Sequence, residues 1–155
     1  MELKKYKLGD IAEINQTTLN RKDSIREILY LDTSSITSNK IFDTQSLKIE
    51  DAPSRAQRKV KDKTILYSTV RPRLNHHGIL SNPPKNLIVS TGFATLDIKE
   101  QFKHVIDPTY LYLTLTQSSI NEYIANIADT AVSAYPSINP SDLSSLNLKF
   151  PDFET

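Results

Sequence analysis

Basic side chains are concentrated in one stretch of the sequence, from Ala52 to Leu80. This stretch holds seven basic residues and a single acid, so its net charge is +6, whereas the whole chain carries +1 and the remainder −5. The basic residues are Arg55, Arg58, Lys59, Lys61, Lys63, Arg71 and Arg73. Guanidinium and ammonium groups at this density predict a surface that binds a polyanion, with a plain solvated face as the alternative.

A predicted strand, Thr64–Val70, positions these cations. Its residues are mostly β-branched, aromatic or aliphatic, which is typical of a buried strand. Five of the seven basic residues precede the strand and two follow it. We therefore expect the cations to project from both ends of one short strand and to converge on one surface.

If the polyanion is a nucleic acid, the candidate side chains fall into two sets, those suited to phosphates and those suited to bases. The residues predicted to hold phosphates are Arg55, Arg58, Lys59 and Lys61. The residues suited to base edges in the major groove are Arg71, Arg73, Asn75, His76 and His77. Tyr135 could stack on a base or sugar, with a place in the core as its alternative. The polar loops Asn15–Ser24, Thr33–Lys40 and Asp129–Ser133 are further candidates.

The sequence offers no complete metal or methyltransferase site. His76 and His77 would need a third ligand, and His104 is the only other histidine. The run Asn82-Pro83-Pro84-Lys85 resembles the Asn-Pro-Pro-aromatic motif of amino-methyltransferases, but a lysine stands where the stacking ring belongs. We expect a proline turn here, no metal and no cofactor.

A nuclease site is likewise incomplete. Asp97-Ile98-Lys99 has the form of half a Mg²⁺ site, but no suitable acid lies in the preceding strand region. We therefore expect no catalytic residues, and a metal-dependent nuclease is kept as an alternative.

Length and composition predict one domain, residues 1–155, with enough apolar residues for a core. The chain has no cysteine, which excludes disulfides and thiolate zinc sites. The charged start, Met1-Glu2-Leu3-Lys4-Lys5, lacks the apolar region of a signal peptide, and no apolar run approaches the ~18 residues of a membrane span. We expect a cytoplasmic protein without membrane contact.

The residue pattern predicts an α+β fold, a β-rich body of short strands followed by a C-terminal helical hairpin. Strands are predicted at Glu27–Asp32, Leu87–Ser90 and Phe93–Ile98. Asp107-Pro108 is a helix start, and apolar residues at helical spacing then predict helices over Pro108–Thr116 and Ser119–Ala128.

Six segments together resemble the target recognition domain of type I restriction–modification specificity subunits. They occur in the family's order over nearly the whole chain: Leu8–Ile14, Ala52–Ala56, Ile65–Pro72, Ser90–Ala94, Tyr110–Tyr112 and Ala134–Asn139. The resemblance implies a β-rich fold with a helical hairpin and a module that reads one half of a split double-stranded DNA target. It also implies that Arg71, within the shared Arg-Pro motif, supports its loop or grips the DNA backbone rather than reading a base.

The same resemblance implies partners: a methyltransferase (modification) subunit, an endonuclease (restriction) subunit and a second recognition domain. It implies no enzymatic activity for this chain alone. Family members continue into a spacer helix, but residues up to Thr155 show no heptad pattern. We expect a single recognition domain, either a half-subunit or an excised fragment. The recognition portion of a single-chain methyltransferase–endonuclease is the other interpretation.

Overall fold

The computed structural model describes residues 2–20, 22–131 and 135–151. The strands in this part of the chain are β1 Leu3–Lys7, β2 Ala12–Ile14, β3 Glu27–Leu31, β4 Ile36–Thr37, β5 Lys40–Ile41, β6 Gln45–Lys48, β7 Ala56–Lys59, β8 Ile65–Ser68, β9 His77–Ile79, β10 Leu87–Ser90, β11 Phe93–Ile98 and β12 Asn147–Pro151. The α-helices are α1 Leu8–Ile11, α2 Pro108–Leu115, α3 Ser118–Asp129 and α4 Pro140–Ser144. The predicted α+β class, with short strands and a C-terminal helical part, is confirmed. None of these helices has the length and apolarity to cross a membrane.

Two four-stranded sheets form the body of the protein. The central sheet has the order β2-β11-β8-β9 and is antiparallel. The outer sheet has the order β6-β3-β10-β7, with β3 and β10 parallel and the other pairs antiparallel. Strands β1 and β12 pair as a separate ribbon, and β4 and β5 form a small hairpin.

The central sheet lies between the outer sheet and the helices, because its strands are apolar on both faces. Tyr67 and Leu96 on one face belong to a core cluster with residues of all four helices. Leu66 and Phe93 on the other face pack with Val89 of the outer sheet. The predicted central strand is therefore buried on both sides, which leaves only its ends for contact with a ligand.

Helix α2 begins where the sequence predicts. The Asp107 side chain accepts a hydrogen bond of 2.8 Å from the Thr109 amide, and Pro108 occupies the first helical turn. Helix α3 follows after a short break and runs one residue beyond its predicted end, to Asp129. The predicted pair of helices is confirmed.

At the start of the chain, Asp10 followed by Ile11, Ala12 and Ile14 favours one or two turns of helix, but the structure differs. Helix α1 ends at Ile11, and the following residues form β2, in which Ile14 pairs with Leu96 of β11. Pairing along the edge of the central sheet overrides the local preference for helix.

Candidate nucleic-acid interface

The candidate cations separate into two groups at opposite ends of β8. Lys61 and Lys63 lie before its first residue, where the Lys63 amide donates to the Leu80 carbonyl. Arg71 and Arg73 follow its last residue, where the Arg71 amide donates to the Pro136 carbonyl. A four-residue strand separates its ends by roughly 10 to 13 Å. The sequence led us to expect all seven cations on one surface. The structure instead places them at two ends of the protein.

Backbone hydrogen bonds place Arg55 at the same end of β8 as Arg71 and Arg73. Its carbonyl accepts a hydrogen bond of 2.9 Å from the Thr91 amide, and the adjacent Gly92 carbonyl accepts one of 2.9 Å from the Thr69 amide. The Arg55 side chain is 61% exposed, and its ion pair with Asp32 is long, at 3.9 Å. An exposed, loosely held guanidinium of this kind is available to a phosphate.

Arg71 projects from the same end of the central sheet. Its side chain is exposed, and its guanidinium carbon lies 6.0 Å from the centre of the Tyr135 ring. No carboxylate among the described residues forms an ion pair with it. We call the end of the central sheet that carries Arg55, Arg71 and Tyr135 the arginine edge. Of the candidates from the sequence, these three lie together with exposed side chains, and Arg73, which is also exposed at this end, is paired with acids of α3.

The candidate loop Thr33–Lys40 also reaches the arginine edge. A Cβ on Gly92 would lie 2.8 Å from Cγ2 of Thr33, so the loop packs directly on the backbone at this position, which explains the glycine. Ser38 and Asn39 both have positive φ, as in the tight turns that join two short strands. The Ser38 amide donates to the Asn75 carbonyl, which fixes the turn beside the residues that follow Arg71.

Residues 71–75 form a tight loop around a short 3₁₀ helix, Pro72–Leu74. A residue before proline is expected to be extended, but Arg71 (φ 47°) adopts the left-handed conformation, as does Asn75 (φ 58°). This conformation avoids the right-handed helical region that the following proline disfavours, yet still reverses the chain. We call Arg71–Asn75 the Arg71 loop.

Arg73, a predicted base reader, is held by helix α3. Its guanidinium donates to both carboxylate oxygens of Glu122 at 2.9 and 3.0 Å, and to Asp129 at 2.8 and 3.2 Å. The Asn126 side chain accepts a further bond at 3.0 Å. The hydrogen bonds to Asp129 and Glu122 raise the pKa of Arg73. All three guanidinium nitrogens are therefore engaged within the protein.

The remaining base-reading candidates are partly or wholly internal. Asn75 accepts a hydrogen bond of 3.0 Å from the Asn121 side chain. His76 is half-buried, and its Nδ1 lies 2.7 Å from the Ile36 carbonyl oxygen. His77 is buried, with its Nδ1 2.8 Å from the Tyr112 hydroxyl, and burial lowers the pKa of His77. Burial also raises the pKa of Tyr112, to about 12.

Arg58 points between the two sheets. It pairs with Val89 across the outer sheet, and residues paired in this way share a face, so its side chain follows Val89 toward the central sheet. Its Nε is buried without a hydrogen-bond partner among residues that the structure describes, as is Oγ1 of Thr95. Burial lowers the pKa of Arg58. Arg58 is thus less available to a phosphate than Arg55.

Lys59 and Lys61 lie at the end of the protein away from the arginine edge. The Lys59 ammonium forms an ion pair of 3.5 Å with Asp23, and its amide donates to the Thr17 carbonyl. These contacts place the start of the candidate loop Asn15–Ser24 at this same end. The Leu19 amide donates to the Gln57 carbonyl, so the loop then runs along β7 toward Arg55; its Arg21 lies outside the described residues. Lys61 is exposed.

The third candidate loop, Asp129–Ser133, begins at Asp129, which is the last residue of α3. Its residues 132 and 133 lie outside the described part of the chain. No group of three histidine, aspartate or glutamate side chains in the described ranges is arranged to hold a metal ion.

Sequence reasoning missed the polar face of α3. Glu122, Asn126 and Asp129 recur at spacings of four and three residues, which place them on one side of a helix. That spacing was a usable signal, but nothing in the sequence indicates that Arg73 is their partner.

The chain is similar to known proteins over nearly its whole length. A family model described as the type I restriction modification DNA specificity domain matches residues 1–155. The type I restriction enzyme HindI specificity subunit of Haemophilus influenzae is 29% identical over 155 residues, which cover 98% of this chain and 32% of that protein. The chain thus spans about a third of the length of this curated relative.

Two solved structures share the fold. The HsdS subunit from Thermoanaerobacter tengcongensis matches with a TM-score of 0.80 and 22% identity, over 98% of this chain and 38% of that one. A chain from a structural study of the assembly and conformational transition of the type I R-M system matches with a TM-score of 0.76 and 21% identity, over 96% and 38% of the two chains. At these identities the matches establish the fold.

Proposed function

This chain belongs to the family of type I restriction modification DNA specificity domains, and from that premise we propose that it recognises a specific sequence in double-stranded DNA. It reads one half of a split target, without catalytic activity of its own, and directs partner methyltransferase and endonuclease subunits of a type I restriction–modification system. The observation that carries this proposal is the match of the family model to residues 1–155.

The geometry supports the arginine edge as the surface that meets DNA. Arg55 and Arg71 are exposed, and neither forms a close ion pair with a carboxylate in the described part of the chain. We assign them to phosphates, where they set the register of the protein on the duplex. The loop Thr33–Lys40 and residues Asn75 and His76 lie beside them and are the candidates for base contacts. Tyr135 supports Arg71 through its ring.

The test begins with selection of bound sequences from random duplex DNA at low ionic strength, because one half-site binds more weakly than a whole target. The selected duplex is then titrated at several salt concentrations. Arg55→Ala and Arg71→Ala should each reduce the slope of log affinity against log salt by about one. Lys63→Ala is the matched control, since this exposed cation lies at the opposite end of β8 and should leave the slope unchanged. Failure to enrich any sequence would overturn the proposal.

The non-catalytic assignment has its own test. The purified chain is incubated with plasmid DNA and Mg²⁺, and intact supercoiled plasmid is the expected result. Cleavage that persists through purification, and that Asp97→Asn abolishes, would favour the nuclease alternative.

A further inference from the structure

One face of helix α3 is devoted to holding the Arg71 loop. Four polar side chains on this face contact the loop: Asn121, Glu122, Asn126 and Asp129. Asn121 binds Asn75, and the other three bind Arg73. The loop is thus attached to the helix at two of its five residues.

The contacts around Arg73 fix the orientation of its guanidinium more than they stabilise the fold. The side chains of Arg73, Glu122 and Asp129 are 46%, 59% and 42% exposed, and ion pairs this exposed contribute little to folding. The planar guanidinium of Arg73, however, donates to the Glu122 carboxylate through Nη1 and to Asp129 through Nε and Nη2. Such two-sided engagement allows one orientation of the guanidinium, and so of the loop that carries it.

The other anchors leave Arg71 and the apolar Leu74 as the loop side chains that project without a hydrogen bond to α3 in the described part of the chain. Pro72 is buried, Asn75 is bound by Asn121, and the Arg71 amide is bound by the Pro136 carbonyl. Each end of the loop has a non-glycine residue in the left-handed conformation, which persists only where surrounding contacts impose it. The contacts of Arg73 and Asn75 with α3 are among those that hold the loop.

We infer that Arg73 is a positioning residue: with Glu122 and Asp129 of α3 it holds the Arg71 loop in the orientation that DNA recognition needs, and it does not itself read a base. This inference rests on the proposed function and deepens it. It competes with the sequence-based prediction that Arg73 contacts a base, which assigns the same side chain to the DNA. It also makes α3 a determinant of sequence preference without placing the helix in a groove.

The first experiment changes α3 and leaves Arg73 in place. The double variant E122Q/D129N removes the two negative charges that hold the Arg73 guanidinium. The readout is the specificity ratio, the affinity for the selected duplex divided by that for a scrambled duplex, because the ratio cancels the general gain in attraction to phosphate. A positioning role predicts that the ratio falls about tenfold, the scale of one lost base contact, because the loop carries Asn75 and contacts the loop Thr33–Lys40, both candidates for base contacts. A base-reading role predicts an unchanged or higher ratio, because the guanidinium is then free to reach the DNA, and this result would overturn the inference.

The second experiment is a charge exchange. R73E/D129N breaks the contact with α3, and R73E/E122R/D129N rebuilds one ion pair in reverse. A positioning role predicts that the triple variant recovers most of the specificity ratio that the double variant loses. No guanidinium is present at position 73 in either variant, so recovery excludes base reading by that residue. Absence of recovery contradicts the inference.

Amide hydrogen exchange of the loop provides a measurement without DNA. The Leu74 amide is bonded to the Arg71 carbonyl within the loop and should exchange faster in E122Q/D129N, while the Leu66 amide in the buried strand β8 should not change. Faster exchange at both amides would indicate general destabilisation and contradict a local role. If the wild-type chain binds no DNA, the proposed function fails, whereas unchanged exchange at Leu74 would refute the positioning role by itself.

Discussion

The Tyr67 hydroxyl donates a hydrogen bond to the side-chain oxygen of Asn121, which joins the buried strand β8 to helix α3. The Asn121 amide group in turn donates to Asn75, at 3.0 Å. One chain of polar contacts therefore runs from the core of the central sheet through the helix to the Arg71 loop. Burial raises the pKa of Tyr67, so the hydroxyl stays protonated and able to donate throughout the neutral range.

Tyr67→Phe should destabilise the protein. The variant keeps the ring in the core but removes the donor, which leaves the Asn121 oxygen without its buried partner. We expect a loss of about 1–3 kcal/mol in the free energy of unfolding, measured by urea denaturation. Tyr123→Phe, on the same helix but 57% exposed, is the control and should change little. Equal effects of the two substitutions would show that the hydroxyl contact is unimportant.

Gly92→Ala should strain the contact between the central sheet and the loop Thr33–Lys40. The φ of Gly92 is not positive, so the backbone tolerates alanine, but the new Cβ would lie 2.8 Å from Cγ2 of Thr33. Overpacking of this kind costs roughly 1–3 kcal/mol in the free energy of unfolding. Removing the opposing methyl with Thr33→Ser should recover much of the loss in the double variant, whereas Thr33→Ser alone should not stabilise the wild type.

His77 should make stability depend on pH. Burial lowers its pKa from the ordinary 6.5, so between the two values the unfolded chain binds more protons than the folded protein. The free energy of unfolding should therefore fall as the pH is lowered through 6.5 and level off below the folded pKa.

Urea unfolding from about pH 7.5 to about pH 5.5 measures this effect. His77→Gln should lose less stability over that range than the wild type. His104→Gln, which changes an exposed histidine, should follow the wild type. A His77→Gln curve parallel to that of the wild type would exclude His77 as the source.

Lys59 and Lys61 test the position of the interface. The sequence of the chain predicts that both lysines contact phosphates. In the structure both lie away from the arginine edge, and Lys59 is paired with Asp23. We expect Lys59→Ala and Lys61→Ala to leave the salt dependence of DNA binding unchanged, whereas Arg55→Ala lowers the slope by about one. A similar loss for either lysine would extend the interface to the opposite end of the protein.

Much of the fold could be predicted because it is encoded locally. Strands β10 and β11 match their predicted bounds, since each consists mostly of apolar and β-branched residues that a sheet buries on both faces. Helix α2 was predicted from Asp107-Pro108, whose capping contact involves residues two positions apart. Strand β2 was missed, because its conformation depends on pairing with β11, some 80 residues later in the chain.

The candidate site was predictable only in its residue types. The density of positive charge around β8 and the family motifs are properties of the sequence alone, and they identified Arg55, Arg71 and Tyr135 as candidates. The partner of each cation was not visible: Arg73 meets acids 49 and 56 residues away along the chain, and Lys59 meets one 36 residues away.

The sequence by itself determined the α+β class, the buried central strand, the helical pair and membership of a DNA specificity family, because periodicity, caps and motif order are local or cumulative signals. Only the tertiary structure decided which cations remain open to a ligand. Two residues with the same charge differ in function when one meets a carboxylate and the other meets solvent. That difference arises where distant segments pack together, so that Arg71 is displayed at the arginine edge while Arg73, two positions later, is bound to α3.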